Sequence, residues 1–328
     1  MRRLFAILTL SVALAGCDKQ PDDNGQLDIS VNEPITTSIR VSVDETRTAG
    51  VDSAKGIFEN DILGSEDVTM RYIMQIYVDG VATDMRYVAY SDTTNVEFTP
   101  ELIPNHDYKF VVWADVVTKA AGETKFIDVD NHYNTKNEGG LANITIHGEW
   151  SAMDETRDAF TGFADKENFT GGNVVVNLTR PFAKLRIVAT DKGVATPVRG
   201  VVKYTSDHST GFNAVTGRTI ATSTAEKEHD YKIDTCTYTN DAGTDLTLFT
   251  DYLFADDSSS INLSFAFYEE GNSDPIMNKT FTADNVSIRP NQITTIKGKI
   301  LCGGEVVVVT ADIDGTYYSN GGKNEIMD

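Results

Sequence analysis

Tyr108-Lys109-Phe110-Val111-Val112-Trp113-Ala114-Asp115-Val116-Val117 is a run of β-branched and aromatic residues with no helical spacing of its apolar positions. Side chains in a strand alternate between faces, so Tyr108 and Phe110 share one face and Trp113 falls on the other. Working outward, the same texture recurs. Ile39-Arg40-Val41-Ser42-Val43 alternates apolar and polar, the period of a half-buried strand. Leu27-Asp28-Ile29-Ser30-Val31 does so too. Residues 70–78 (MRYIMQIYV) end in Asp79-Gly80, a pair that favours a tight hairpin turn. Further runs fall at 86–90, 96–98, 144–146, 174–178, 184–189, 201–204, 261–268, 293–301 and 306–313. Many short strands between turns predict an all-β chain of antiparallel β-sandwiches. One short helical signal occurs at 154–160, with Ser151 as a candidate cap. A parallel α/β sheet needs crossover helices that this sequence lacks.

The chain has 328 residues, 40% hydrophobic and 23% charged, enough to bury cores. Its net charge of -21 argues against nucleic acid, whose phosphates an acidic surface repels. Beyond the N-terminus no window approaches the roughly 18 apolar residues of a spanning helix.

The N-terminus reads as an export signal. Arg2 and Arg3 precede a nearly uninterrupted apolar run from Leu4 to Ala15, ending in Leu14-Ala15-Gly16-Cys17. Leu-Ala-Gly-Cys resembles the bacterial lipobox, which implies cleavage before Cys17 and acylation of its thiol by diacylglycerol, with palmitate-type chains. Loss of the two arginines takes the charge from -21 to -23. Residues 17–26 are polar and turn-rich and read as a tether. The expected organisation is a signal peptide at 1–16, the tether at 17–26, and two sandwiches at 27–183 and 184–328. Their boundary lies near Arg180-Pro181. In an oxidising compartment Cys236 and Cys302 are a candidate disulfide, with two free buried thiols as the alternative.

Catalytic patterns are missing. None of His106, His132, His147, His208 and His229 has metal-ligand spacing, and each is expected in a loop or at a strand edge. No nucleophile elbow or phosphate loop occurs. Asp312-Ile313-Asp314-Gly315 has only a fragment of a calcium loop. The abundant carboxylates read as a solvated acidic surface. No enzyme activity, cofactor or metal is expected. Trp113 and Trp150 are the candidate aromatics for a carbohydrate platform, against core packing as the ordinary role.

Several segments, in order, resemble one family. Residues 108–114 are similar to a Y-T-F-V-F-W-A strand, and Glu155-Thr156-Arg157-Asp158-Ala159-Phe160 to an E-S-R-D-A-F segment. Arg180-Pro181-Phe182-Ala183-Lys184-Leu185 matches an R-P-F-A-K-L element. Residues 212–217 (FNAVTG), 251–255 (DYLFA), 289–298 (RPNQITTIKG) and 310–315 (TADIDG) follow. The family is that of Bacteroidetes fimbrillin-like lipoproteins, subunits of type V pili. Cys302-Gly303-Gly304 departs from its usual polar turn. The resemblance implies two tandem transthyretin-like sandwiches and a lipid-anchored precursor at the cell surface. It also implies removal of the first strand by an arginine-specific protease and filling of the groove by a strand from another subunit. Arg47, followed by Thr48, lies in a polar stretch after the strand ending at Val43 and is the candidate cut; Arg40 is the lesser one. Val306-Val307-Val308-Val309 is the candidate donor strand or the last core strand. The implied partners are other fimbrial subunits, the outer membrane through Cys17, and, for an adhesin, a host or bacterial receptor. Two other readings stand beside the fibre subunit: a surface glycan-binding lipoprotein and a non-polymerising fimbrial anchor. An exported hydrolase is a third, weakened by the missing constellation.

Overall fold

In the computed structural model, residues 33–43, 63, 65–233, 245–312 and 326–327 are described, with backbone alone for 307–312 and 326–327. The signal peptide, the tether, the run at 27–31, Cys17, Arg47, Thr48 and Cys236 lie outside the described residues.

The chain is all-β, in four principal sheets. In the first, β2 (Ile39–Val43) lies between β5 (Asn95–Phe98) and β11 (Val174–Leu178). The second runs β10 (Ala159–Phe169), β7 (His106–Thr118), β3 (Val68–Val78), β4 (Val81–Ser91). The third runs β22 (Ile326–Met327), β21 (Val306–Asp312), β20 (Gln292–Gly298), β12 (Phe182–Ala189), β17 (Leu246–Phe254), β14 (His208–Asn213), β9 (Ile144–Ile146), β8 (Tyr133–Asn134); β15 (Arg218–Ser223) pairs with β14. In the fourth the order is β16 (Lys227–Lys232), β13 (Arg199–Tyr204), β18 (Ser260–Tyr268), β19 (Phe281–Ser287). A small ribbon joins β1 (Ile35–Thr36) to β6 (Glu101–Leu102).

Three apolar cores follow from strand alternation. The first holds Ile39, Val41 and Val43 of β2 against Tyr72, Met74, Phe110 and Val112. The opposite faces of β3 and β7 supply Ile73, Tyr77, Val111 and Trp113 to a middle core, where they meet Phe182, Phe212, Tyr252 and Phe254. Beyond it, Leu185, Ile187, Leu248 and Leu253 pack on Phe265 and Val202 in the last core. The second and third sheets are therefore buried on both faces where they overlap. This explains why β7 is an almost unbroken apolar run although its sheet is antiparallel. Trp113 indeed faces away from Tyr108 and Phe110, without a bulge.

The chain changes sandwich within its N-terminal half. Strands β8 and β9 belong to the third sheet, although they lie between β7 and β10 of the second. The turn Asp79-Gly80 takes φ of 50° and 79°, with Val78 opposite Val81, as a two-residue hairpin of this hand demands. The helical signal at 154–160 shrinks to a 3-10 turn, Glu155–Arg157, because β10 begins at Ala159. Its cap is Asp154, whose Oδ1 accepts from Thr156 N at 3.0 Å, and not Ser151.

Trp113 is fully buried among Tyr133, Phe182 and Phe212. Trp113→Ala is expected to cost about 3–5 kcal/mol in urea unfolding, and Phe163→Ala, at an exposed ring, less than about 1 kcal/mol.

Candidate functional site

The position of β2 is the first feature. Its register on β11 is parallel, Ile39 opposite Val174 through Val43 opposite Leu178. On β5 it is antiparallel, Ile39 opposite Phe98 through Ser42 opposite Asn95. Ile39, Val41 and Val43 are 0%, 1% and 5% exposed, while Arg40 faces water. Side chains add to both ladders. Ser38 Oγ donates to Glu97 Oε1 at 2.5 Å and Ser42 Oγ to Asn177 Oδ1 at 3.1 Å. Such a strand, if withdrawn, leaves unpaired N–H and C=O groups on both neighbours beside an open core.

A second feature is a buried ionic joint between the sandwiches. Lys184 Nζ donates to Glu155 Oε2 at 2.7 Å, and the Tyr252 hydroxyl donates to the same oxygen at 2.6 Å. Arg180 grips Asp158 through Nε at 2.8 and 2.9 Å and Nη2 at 2.7 Å. Burial pushes the Asp158 carboxyl up, more than Arg180 pulls it down. Nearby, Asp251 accepts from Trp150 Nε1 at 2.8 Å, the Tyr204 hydroxyl at 2.6 Å and the Tyr252 backbone at 2.8 Å. Burial alone would raise the Asp251 carboxyl, but His229, 3.2 Å away, and Arg157 hold it below its ordinary value. The Arg157 guanidinium lies over the rings of Trp150 and Tyr133. The family-like segments thus meet here: 155–160, 180–185 and 251–255 supply the charges, and Phe212 with Trp113 the apolar surround.

Sequence reasoning missed this joint. It read the carboxylates as a solvated surface, yet Asp115, Glu155, Asp158 and Asp251 are buried, each against a basic side chain. His208 is buried within the third sheet, and His229, although on the edge strand β16, is buried too. The one signal available was the acid–base alternation of Glu155-Thr156-Arg157-Asp158 set against Arg180 and Lys184. Trp113 and Trp150 are 0% and 7% exposed, so neither ring is a surface platform for a sugar.

The remaining candidates are placed as follows. Cys302 is exposed and free, in the turn between β20 and β21. Val306 is buried, and Val307, Val308 and Val309 stand opposite Lys297, Ile296 and Thr295 within β21. Among the described residues no group of His, Cys, Asp or Glu side chains could hold a metal ion. No helix there is long and apolar enough to cross a membrane.

Fold and slot together define a double β-sandwich in which β2 is the central member of its sheet. The chain belongs to a family of unknown function, DUF6562, whose model matches residues 19–326. Among curated proteins no relative matches. Solved structures with a similar fold include a candidate cell adhesion protein from Bacteroides eggerthii, 16% identical, covering 86% of this chain and 96% of that one, with a TM-score of 0.46. The tip fimbrial protein Mfa3 of Porphyromonas gingivalis is 11% identical over 85% of this chain and 100% of its own, TM-score 0.43. The fimbrial anchor protein Mfa2 of the same organism is 9% identical over 80% and 90%, TM-score 0.42.

Two measurements test these features. Ile39→Ala is expected to cost about 2–5 kcal/mol, and Arg40→Ala less than about 0.5 kcal/mol. Asp158→Ala, which removes the carboxylate that Arg180 grips, is expected to cost about 1–3 kcal/mol in urea unfolding. Acid acts through Asp251 in a defined direction. Its depressed value means that its stabilisation is complete above the ordinary 3.8 and is lost as pH falls through the lower folded value. Asp251→Asn is expected to flatten that limb of the stability–pH curve relative to the parent.

Proposed function

We propose that this protein is a structural or adhesive subunit of a surface fibre, carried to the outer membrane by a lipid on Cys17 and assembled by strand exchange in the β2 slot. The observation that carries the reading is β2 itself. It is held by both edges and fills the first core with three apolar side chains. Covalently it reaches β3 only through a connection that contains Arg47. A cut after Arg47 leaves nothing but non-covalent contacts to hold it. A strand from another subunit then satisfies the same backbone groups, with alternate side chains taking the places of Ile39, Val41 and Val43. Strand addition of this kind is head-to-tail and builds filaments rather than closed rings. The candidate donor is the valine run of β21. The order of family-like segments supports the reading, and no catalytic step belongs to it.

Stalk and anchor roles differ in one covalent detail. A stalk subunit loses its lipid and β2; an anchor keeps both. Mass spectrometry of fibre-bound protein from cells is expected to find a chain starting at Thr48. An acylated Cys17 there would assign the anchor role instead. If purified protein cleaved after Arg47 stays monomeric at every concentration, strand exchange is wrong.

A further inference from the structure

Beside the slot the two sandwiches leave a cleft of about 280 Å³. Phe163, Phe212, Pro181 and Pro290 give it apolar walls. Asn177, Thr179 and Arg180 also line it, and the first two tie the cleft to the slot. Asn177 stands opposite Ser42 of β2, and its Oδ1 accepts a hydrogen bond from the Ser42 hydroxyl. Thr179 follows the last residue of β11 and bridges to Thr161 of β10. Whichever way a strand runs in the slot, one of its ends therefore emerges beside Leu178, at the residues that lead into the cleft.

The cleft is held open by close backbone packing. A Cβ on Gly162 would stand 2.2 Å from the Asn177 carbonyl oxygen, so only glycine lets β10 lie this near β11. Lys109 Nζ sits 4.2 Å from the centre of the Phe163 ring and donates to the Val215 carbonyl at 3.2 Å, tying that wall to the loop after β14. Phe163 is 43% exposed, and Val175, on β11 two residues before Asn177, is 57% exposed. Apolar surface thus continues from the outer face of the slot's own sheet to the cleft.

We propose that the cleft seats an apolar side chain of the neighbouring copy, next to the strand which that copy inserts; this rests on the strand-exchange reading above. Its volume falls below the ~300–1,000 Å³ of typical small-molecule pockets but accommodates one large side chain. Copies cut after Arg47 each still carry a charge of -19 and repel one another, which favours apolar contact beside the slot. A single anchoring residue in a preformed apolar pocket is the usual way an interface concentrates its affinity.

The test uses the full chain cleaved after Arg47 with an arginine-specific protease, in parent, Phe163→Ala and Phe163→Asp forms. Polymer growth is followed by sedimentation. Binding of a synthetic peptide spanning residues 34–44 reports the slot alone. Parent polymer with growth of both variants slowed on the order of tenfold or more, at unchanged peptide affinity and melting temperature, is the expected result. Variants that polymerise like the parent overturn the cleft assignment and leave strand exchange standing. A parent that binds the peptide yet never polymerises overturns both.

Discussion

The structure depends on charges largely withdrawn from water. Glu155 with Lys184, and Asp158 with Arg180, sit where the chain passes from one sandwich to the next. Removing charges from solvent costs several kcal/mol each, and good geometry with extra hydrogen bonds must offset it. The offset here comes from bidentate contact, the Tyr252 hydroxyl and stacking on aromatic rings. A pair of this kind adds little net stability, but it tolerates few alternatives. Shifting either sandwich against the other would separate buried partners, so the joint selects one arrangement from all those that would merely bury the same apolar area.

The joint is also independent of the strand that fills the first core. The side chains of β2 belong to the first core alone, and the middle core draws on the far faces of β3 and β7. Loss of β2 therefore opens one core and leaves the joint and two cores in place.

How much of this was legible varied with the range of the interaction. Local patterns were: the alternation of Ile39 to Val43 and the Asp79-Gly80 turn appear in the structure as read. The two faces of the run at 108–117 were separable too, because strand alternation fixes them whatever packs on each side. Pairings between distant residues were not legible. Nothing local to Ile144 to Ile146 says that it joins β14 more than sixty residues on, with Tyr133-Asn134 paired to its other edge. The edge strand at 227–232 (KEHDYK) was missed because its outward positions are charged, as sheet edges tend to be, while His229 points inward. In a sequence this rich in acids, the few carboxylates that turn inward look like the many that do not. The order of distinct motifs gave a family resemblance, but not the contacts that bring 155–160, 180–185 and 251–255 together at the joint.

The double-edged pairing of β2 has a mechanical side. A force along its axis meets the ladder to β5 and the ladder to β11 at once, since both run beside it over the same residues. The bonds are then loaded in shear and must yield together, whereas a strand peeled from one edge gives way a pair at a time. Any segment occupying that position inherits the same resistance. It would hold best against tension along its axis and least against a pull across it, whatever its own sequence.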